Sequence, residues 1–462
     1  MNKIDQSIFK AYDIRGIYPS QLDESLAYKL GRGYATFILK ENPKAKNIVV
    51  GSDMRISSPA LKKELIKGLN DSGLDVIDIG LASTPTFYFA VAYYGYDGGI
   101  QVSASHNPKE YNGFKIVREK AFPIGKNTGI FEIRDIILKD EFIKSEKTGI
   151  HPSGFQAKII KKESVLDDLI KDQLSDIDVS KIKKFKIVVD AANSMGALDM
   201  EEIFNEIQVD LIKLNFKLDG SFPVHEADPL KEENLELLKE KVLENRADFG
   251  IASDGDGDRY FFIDENGNVL RQEVLRGIMA QIELAENSGA TVAYDIRPGR
   301  ITKDMIEEMG GKVIVTPVGH SLIKEIMIKK DAVFGGESSG HYFYKKNYGT
   351  FEMPAILIAK FLKFLSEKNM VFSEVVKPYQ KYFHSGEINF RVKSVAEKLK
   401  EIEEKYSDGK IIKIDGVTVE YSDWWFNVRG SNTEPVIRLN LEAKTNELME
   451  EKTEEVSDFV KK

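Results

Sequence analysis

The 462 residues include no cysteine, which excludes disulfides, thiolate nucleophiles and Cys-ligated zinc or iron–sulfur sites. That fits a cytoplasmic protein. Positive charge is also in deficit: 65 Lys and Arg against 74 Asp and Glu leave a net charge of −9. Such a field repels nucleic acid, so none is expected as a partner, and any anionic ligand must be held by local cationic pockets. No apolar run approaches the length of a membrane span, and the N-terminal MNKIDQSIFK lacks the apolar core of a secretory signal. The nearest run, 353–365, is interrupted by Lys360 and Lys363, which predicts an amphipathic helix. A membrane is therefore not an expected partner either. Histidine is scarce, six in all, yet His106, His320 and His341 stand in ligand-like loops.

The 42% hydrophobic content is ample for burial, and 462 residues are too many for one core, so three or four domains are expected. Strand-like NIVVGSD, a helix over 59–70, strand DVIDIG, helix-like TPTFYFAVAYY and strand GGIQVSA form a βαβαβ pattern. Residues 125–175 are charged and turn-rich, as at a domain boundary, and end in an amphipathic helix carrying Val165, Leu166 and Leu169. The alternation then restarts twice, through FKIVVDAA to DFGIAS and through TVAYDI to AVFGG. After Lys377 it gives way to short strands and two helices, an α+β pattern. The expected fold is α/β with three mixed, mainly parallel sheet domains, 1–150, 151–268 and 269–372, and a C-terminal α+β domain, 373–462.

Ligand loops of such sheets lie at the carboxyl ends of the strands, where the stretch VSASHNPKEYNGFK stands. Ser105 is its candidate phosphate carrier, with His106, Asn107 and Lys115 to orient it, move its proton and neutralise a phosphoryl group. A polar Asn-Pro turn is the alternative. In DGDGDR, Asp254, Asp256 and Asp258 place three carboxylates at alternate positions of an extended segment, with Gly255 and Gly257 letting the backbone wrap a small ion; hard oxygens suit Mg²⁺. Glu265 falls at the twelfth position of a calcium EF-hand, but Arg259 at the sixth and strand-like flanks exclude that loop. A solvated acidic turn stays open. The segment GGESSGH offers Glu337, Ser339 and His341 to sugar hydroxyls, or is an ordinary Gly-Ser turn. Arg429, Ser431, Asn432 and Thr433 in RGSNTEP can form a concave phosphate site, and Arg15 in IFKAYDIRG can face a phosphate.

Taken in order, IFKAYDIRG, SASHNPKEYNGFK, DGDGDR, VGHS, GGESSGH and RGSNTEP resemble the α-D-phosphohexomutase superfamily, most of all its phosphomannomutase/phosphoglucomutase branch, over nearly the whole chain. The resemblance implies four domains around a central cleft and hexose phosphates as the small-molecule ligands. It implies a phosphorylated Ser105, with Mg²⁺ held beside that phosphate by Ser105, Asp254, Asp256 and Asp258. Lys115 matches a proton donor or acceptor, Arg15 and Arg259 the phosphate-side arginines, and His320 and His341 histidines lining the cleft. Glu337 and Ser339 match the sugar-recognition pair, and Arg429, Ser431, Asn432 and Thr433 the loop for the distal phosphate. The implied reaction passes through a hexose 1,6-bisphosphate, which serves as activator. Two departures bear on the sugar. Arg297 in YDIRPGR stands where relatives carry lysine, which alters reach, and Glu352-Met353-Pro354 replaces two acids and a glycine.

Overall fold

A computed structural model describes residues 4–143, 148–430 and 436–461. It forms two compact units, Met1–Leu270 with Gly340–Phe372, and Arg271–Ser339 with Ser373–Lys462. Among the described residues no helix is long and apolar enough to cross a membrane.

The first unit contains a six-stranded sheet ordered Ile14–Ile17, Tyr111–Arg118, Gly98–Val102, Asn47–Ser52, Asp75–Leu81, Ile159–Lys161. The last four strands run parallel, and Tyr111–Arg118 is antiparallel to both of its neighbours. Successive strand residues face opposite sides. Ile48, Val50, Ile100 and Val102 join a core with the helices Glu24–Glu41, Ser58–Asp71 and Ile130–Leu138. A Cβ on Gly99 would point the other way, 2.6 Å from Phe87 of the helix Thr84–Tyr93. Both faces are covered, which is why these strands read as continuous apolar runs.

A four-stranded sheet follows, ordered Tyr260–Asp264, Phe249–Ser253, Lys186–Asp190, Asp210–Leu214, with only the first strand antiparallel. The hairpin Tyr342–Lys346/Gly349–Glu352 and the helix Pro354–Lys368 complete this unit. That helix is amphipathic as expected: ten of its fifteen residues are buried, and the less buried ones, Lys360, Lys363, Phe364, Glu367 and Lys368, recur at helical spacing along one side. Lysines carry apolar stems that pack while the ammonium reaches outward. The charged stretch 125–175 holds more structure than expected, since Ile130, Ile133, Ile136 and Ile137 make Ile130–Leu138 a core helix.

In the second unit, Thr291–Asp295 lies between Lys312–Thr316 and Phe334–Gly336, all parallel. A five-stranded antiparallel sheet is ordered Phe383–Arg391, Val436–Ala443, Trp424–Gly430, Val417–Glu420, Lys410–Ile412, with helices Val395–Lys405 and Asn446–Lys461.

Candidate active site

The strand Gly98–Val102 delivers Ser105 into a tight loop in which its φ is +50°, a left-handed conformation that costs a residue with a Cβ free energy and persists only when surroundings fix it. Its N–H donates to Ser103 Oγ at 3.0 Å. Its hydroxyl donates to Asp254 Oδ2 at 2.9 Å and lies 3.2 Å from His106 Nδ1. Desolvation of the His106 ring, with Arg259 and Arg15 nearby, holds its pKa well below the usual histidine range, so the imidazole is neutral. Arg15 on the strand Ile14–Ile17 bonds Asn107 Oδ1 and pairs with Asp13 at 2.7 Å.

The three acids do not lie along an extended segment. Residues 255–257 form the turn between antiparallel strands Phe249–Ser253 and Tyr260–Asp264, and this turn makes the carboxylates converge, with ligand atoms within 4.8 Å of one another. Its glycines serve distinct needs. Gly257 takes φ +74°, whereas a Cβ on Gly255 would sit 2.2 Å from the Ser105 carbonyl oxygen. Asp254 Oδ1 accepts from the N–H groups of Asp258 and Arg259 at 3.1 and 3.3 Å.

Lys115 Nζ bridges Asp256 Oδ2 at 2.6 Å and Asp258 Oδ2 at 2.5 Å. Burial opposes its charge, but Asp256 and Asp258 outweigh it and hold the ammonium well above the usual lysine range. Asp258 is driven well below the carboxylate range, its burial overcome by Lys115, His341 and Arg259. Asp254 is pushed well above that range by burial and by its two acidic neighbours. Three buried hard-oxygen donors suit a small divalent cation, and Asp256 Oδ1 is buried with no hydrogen-bond partner among the described residues. His341 Nε2 lies 3.1 Å from Asp258 Oδ1 and 3.3 Å from Arg259 Nε.

In the second unit, Asp295 ends its strand as an organising acid. It accepts from Arg297 Nε at 2.8 Å, from Ser338 N and Oγ at 3.2 and 3.0 Å, and from Arg276 Nη1 at 3.4 Å. Burial raises its pKa, but Arg297 and Arg276 outweigh this and keep it ionised. Arg297 Nη2 is thereby placed 3.4 Å from Ser339 Oγ and 4.0 Å from Glu337 Oε1. Glu337 also accepts from Gly319 N at 2.8 Å, beside His320 at the start of the helix His320–Lys330. Arg429 is buried and pairs with Glu387. Ser431, Asn432 and Thr433 lie outside the described residues.

The first unit thus gathers Ser105, His106, Lys115, Arg15, Arg259 and the three acids, joined by His341. The second holds Arg297, Glu337, Ser339, His320 and Arg429. The GGESSGH segment divides between them, because Gly340 begins the return to the first unit. Sequence reasoning missed Arg55, Thr84, Asp295 and Glu387. Only Asp295 carried a local signal, an acid ending a buried strand two residues before Arg297.

Residues 6–144, 166–267 and 273–382 match the phosphoglucomutase/phosphomannomutase alpha/beta/alpha domains I, II and III, and residues 387–459 match the C-terminal domain of the same group. The chain is 39% identical to a phosphomannomutase of Vibrio cholerae over 98% of both chains. It is 40% identical to one of Methanocaldococcus jannaschii over 99% of this chain and 98% of that one. A crystal structure of a phosphoglucomutase/phosphomannomutase family protein from Burkholderia thailandensis superposes with a TM-score of 0.89 at 31% identity, covering 99% of this chain and 97% of that one.

Proposed function

Because this chain belongs to the phosphoglucomutase/phosphomannomutase family and is a phosphohexomutase of the isomerase class, we propose that it interconverts the 6- and 1-phosphates of mannose and glucose through phospho-Ser105 and a hexose 1,6-bisphosphate. One observation carries this reading: a serine hydroxyl 2.9 Å from one buried carboxylate stands beside two others bridged by Lys115.

In the first half-reaction the bond from Ser105 Oγ to phosphorus breaks, a bond from a sugar hydroxyl oxygen to phosphorus forms, and the hydroxyl proton ends on Ser105 Oγ. The second half reverses this exchange at the other end of the sugar. Lys115 holds a proton near the reacting oxygens, His106 orients the serine hydroxyl, and Arg15 and Arg259 face the phosphoryl oxygens. Asp254, Asp256 and Asp258 would hold Mg²⁺, beside Ser105, and the ion supplies charge that stabilises the transferring group. Arg429, with Ser431, Asn432 and Thr433, takes the nonreacting phosphate; Arg297, His320 and His341 are the further substrate-binding residues. Glu337 and Ser339 address the sugar's O3 and O4, which mannose and glucose display alike. The epimeric O2 is left unread, and a group that is not hydrogen-bonded gives little discrimination.

The test joins peptide mapping to a coupled assay on mannose, glucose and glucosamine phosphates with catalytic hexose 1,6-bisphosphate present. Phosphate should map to Ser105, both hexoses should turn over, and Ser105→Ala should lose about a thousandfold or more in kcat. Phosphate at Ser103, full activity in Ser105→Ala, or strong preference for glucosamine phosphate would each overturn the reading.

A further inference from the structure

Ser105 is held in a left-handed backbone conformation by something other than its own preference. Its carbonyl is wedged. One side meets Gly255, where even a Cβ would come within 2.2 Å; the other meets the guanidinium of Arg55, with Nη2 donating to Ser105 O at 2.8 Å. The same nitrogen donates to Asn107 O at 2.5 Å, and Nη1 donates to Pro108 O at 2.8 Å and Tyr111 O at 3.0 Å. Nε faces Asp53 Oδ2 at 3.2 Å. Asp53 is itself anchored, accepting from Arg55 N at 3.0 Å and Ser58 Oγ at 2.6 Å. The Phe222 ring covers the guanidinium, 5.1 Å from its carbon, and Arg55 is 1% exposed.

The two terminal nitrogens of this arginine therefore make four hydrogen bonds, all to backbone carbonyls of the segment that carries the serine, while Nε is turned to the Asp53 carboxylate in a buried ion pair. No terminal N–H is left for a phosphate. Arg15, by contrast, reaches the same loop through the Asn107 side chain and is positioned to exchange that contact for an anion.

We infer that Arg55 is the positioning residue that sets the attack geometry of Ser105, acting through the loop's carbonyls and making no contact with substrate. This rests on Ser105 being the phosphate carrier. A planar fork suits four carbonyls arranged around it, and a lysine ammonium, three donors at one point, does not. A misplacement of about 1 Å at a reacting centre costs roughly a hundredfold in rate. Substrate affinity, set by other groups, should hardly move.

The experiment uses the full-length enzyme and Arg55→Lys. Single-turnover transfer of labelled phosphate from glucose 1,6-bisphosphate to dephosphorylated Ser105 is timed by rapid quench, beside KM for the hexose phosphates and circular dichroism. Wild type should label at Ser105. Arg55→Lys should keep its spectrum, transfer about a hundredfold more slowly and hold KM within roughly threefold. Unchanged transfer in the folded variant overturns the inference, as does a raised KM with an unchanged rate, which would make Arg55 a substrate contact. Should Arg55→Lys fail to fold, Asp53→Asn loosens the same guanidinium, and an unchanged transfer rate there overturns it equally. If wild type takes no label at Ser105, the phosphoserine reading falls and this inference with it; label in wild type with an unchanged variant removes the inference alone.

Discussion

Gly255 has an ordinary backbone φ, and what forbids a side chain there is the Ser105 carbonyl 2.2 Å from the position a Cβ would take. Neither atom can yield cheaply, since the oxygen is backbone and a Cβ is fixed rigidly to backbone, both in a packed interior. Gly255→Ala is expected to cost about 1–3 kcal/mol in stability through overpacking. Because the displaced atoms carry the serine and the acids, kcat should fall roughly a hundredfold. Thermal melts and steady-state kinetics check both, and wild-type turnover in Gly255→Ala would show that the two loops do not press together. Ser105, Lys115 and the three acids were legible in the sequence because their chemical types lie in short motifs. Arg55 and Thr84 were not, since their hydrogen-bond partners stand up to 56 and 172 residues away. The reason for Gly255 was misread for the same cause: a contact between distant loops leaves no local signature.

The helix Thr84–Tyr93 shows how an element can be found by pattern while its purpose stays hidden. Ser83 caps it by accepting from Thr86 N, and Pro85 stands in its first turn, both ordinary start signals. The first turn also holds the acidic loop: Thr84 N donates to Asp256 O at 2.9 Å, and the Thr84 hydroxyl bonds Asp256 Oδ2. A partner that fixes a ligand's orientation typically contributes 10–100-fold to metal affinity. Thr84→Val removes the hydroxyl at nearly constant volume, so Mg²⁺ should bind about tenfold or more weakly, read by direct titration of the ion as well as by activation of turnover. Unaltered Mg²⁺ binding would mean that Asp256 needs no help from this helix. Other elements escaped the pattern for steric reasons. The helix Glu24–Glu41 was not read because Gly31 and Gly33 interrupt it; a Cβ on Gly31 would lie 2.5 Å from Leu65 O, and one on Gly68 2.2 Å from Tyr28 O. These glycines let two helices cross closely, which only the packed chain reveals.

At the scale of the molecule, the second unit depends on a polar seam between its parallel strands and its antiparallel sheet, and Glu442 is the acid buried in it. From the strand Val436–Ala443 it accepts from Gly299 N at 3.0 Å and Arg300 N at 3.3 Å, capping the helix Arg300–Glu308. Arg300 Nη2 returns across the seam to Tyr421 O at 2.7 Å and Trp424 O at 3.1 Å. Burial, and then Glu273, push the Glu442 pKa up to about 7 against the two N–H bonds and Arg300. In an unfolded chain the group titrates at roughly 4.3. The folded state therefore keeps a proton that the unfolded state has released. The associated stability is complete below about pH 4 and is lost as pH rises through 7, on the order of 3 kcal/mol in all. Glu442→Gln cannot ionise, so from pH 5 to 8 its stability should decline less steeply than that of the wild type, the difference being this group's share. Both tryptophans of the chain, Trp424 and Trp425, lie in this antiparallel sheet, so denaturant unfolding followed by tryptophan fluorescence reads this part of the molecule. Parallel pH profiles for the two proteins would show that Glu442 is ionised throughout and that the seam does not depend on its proton.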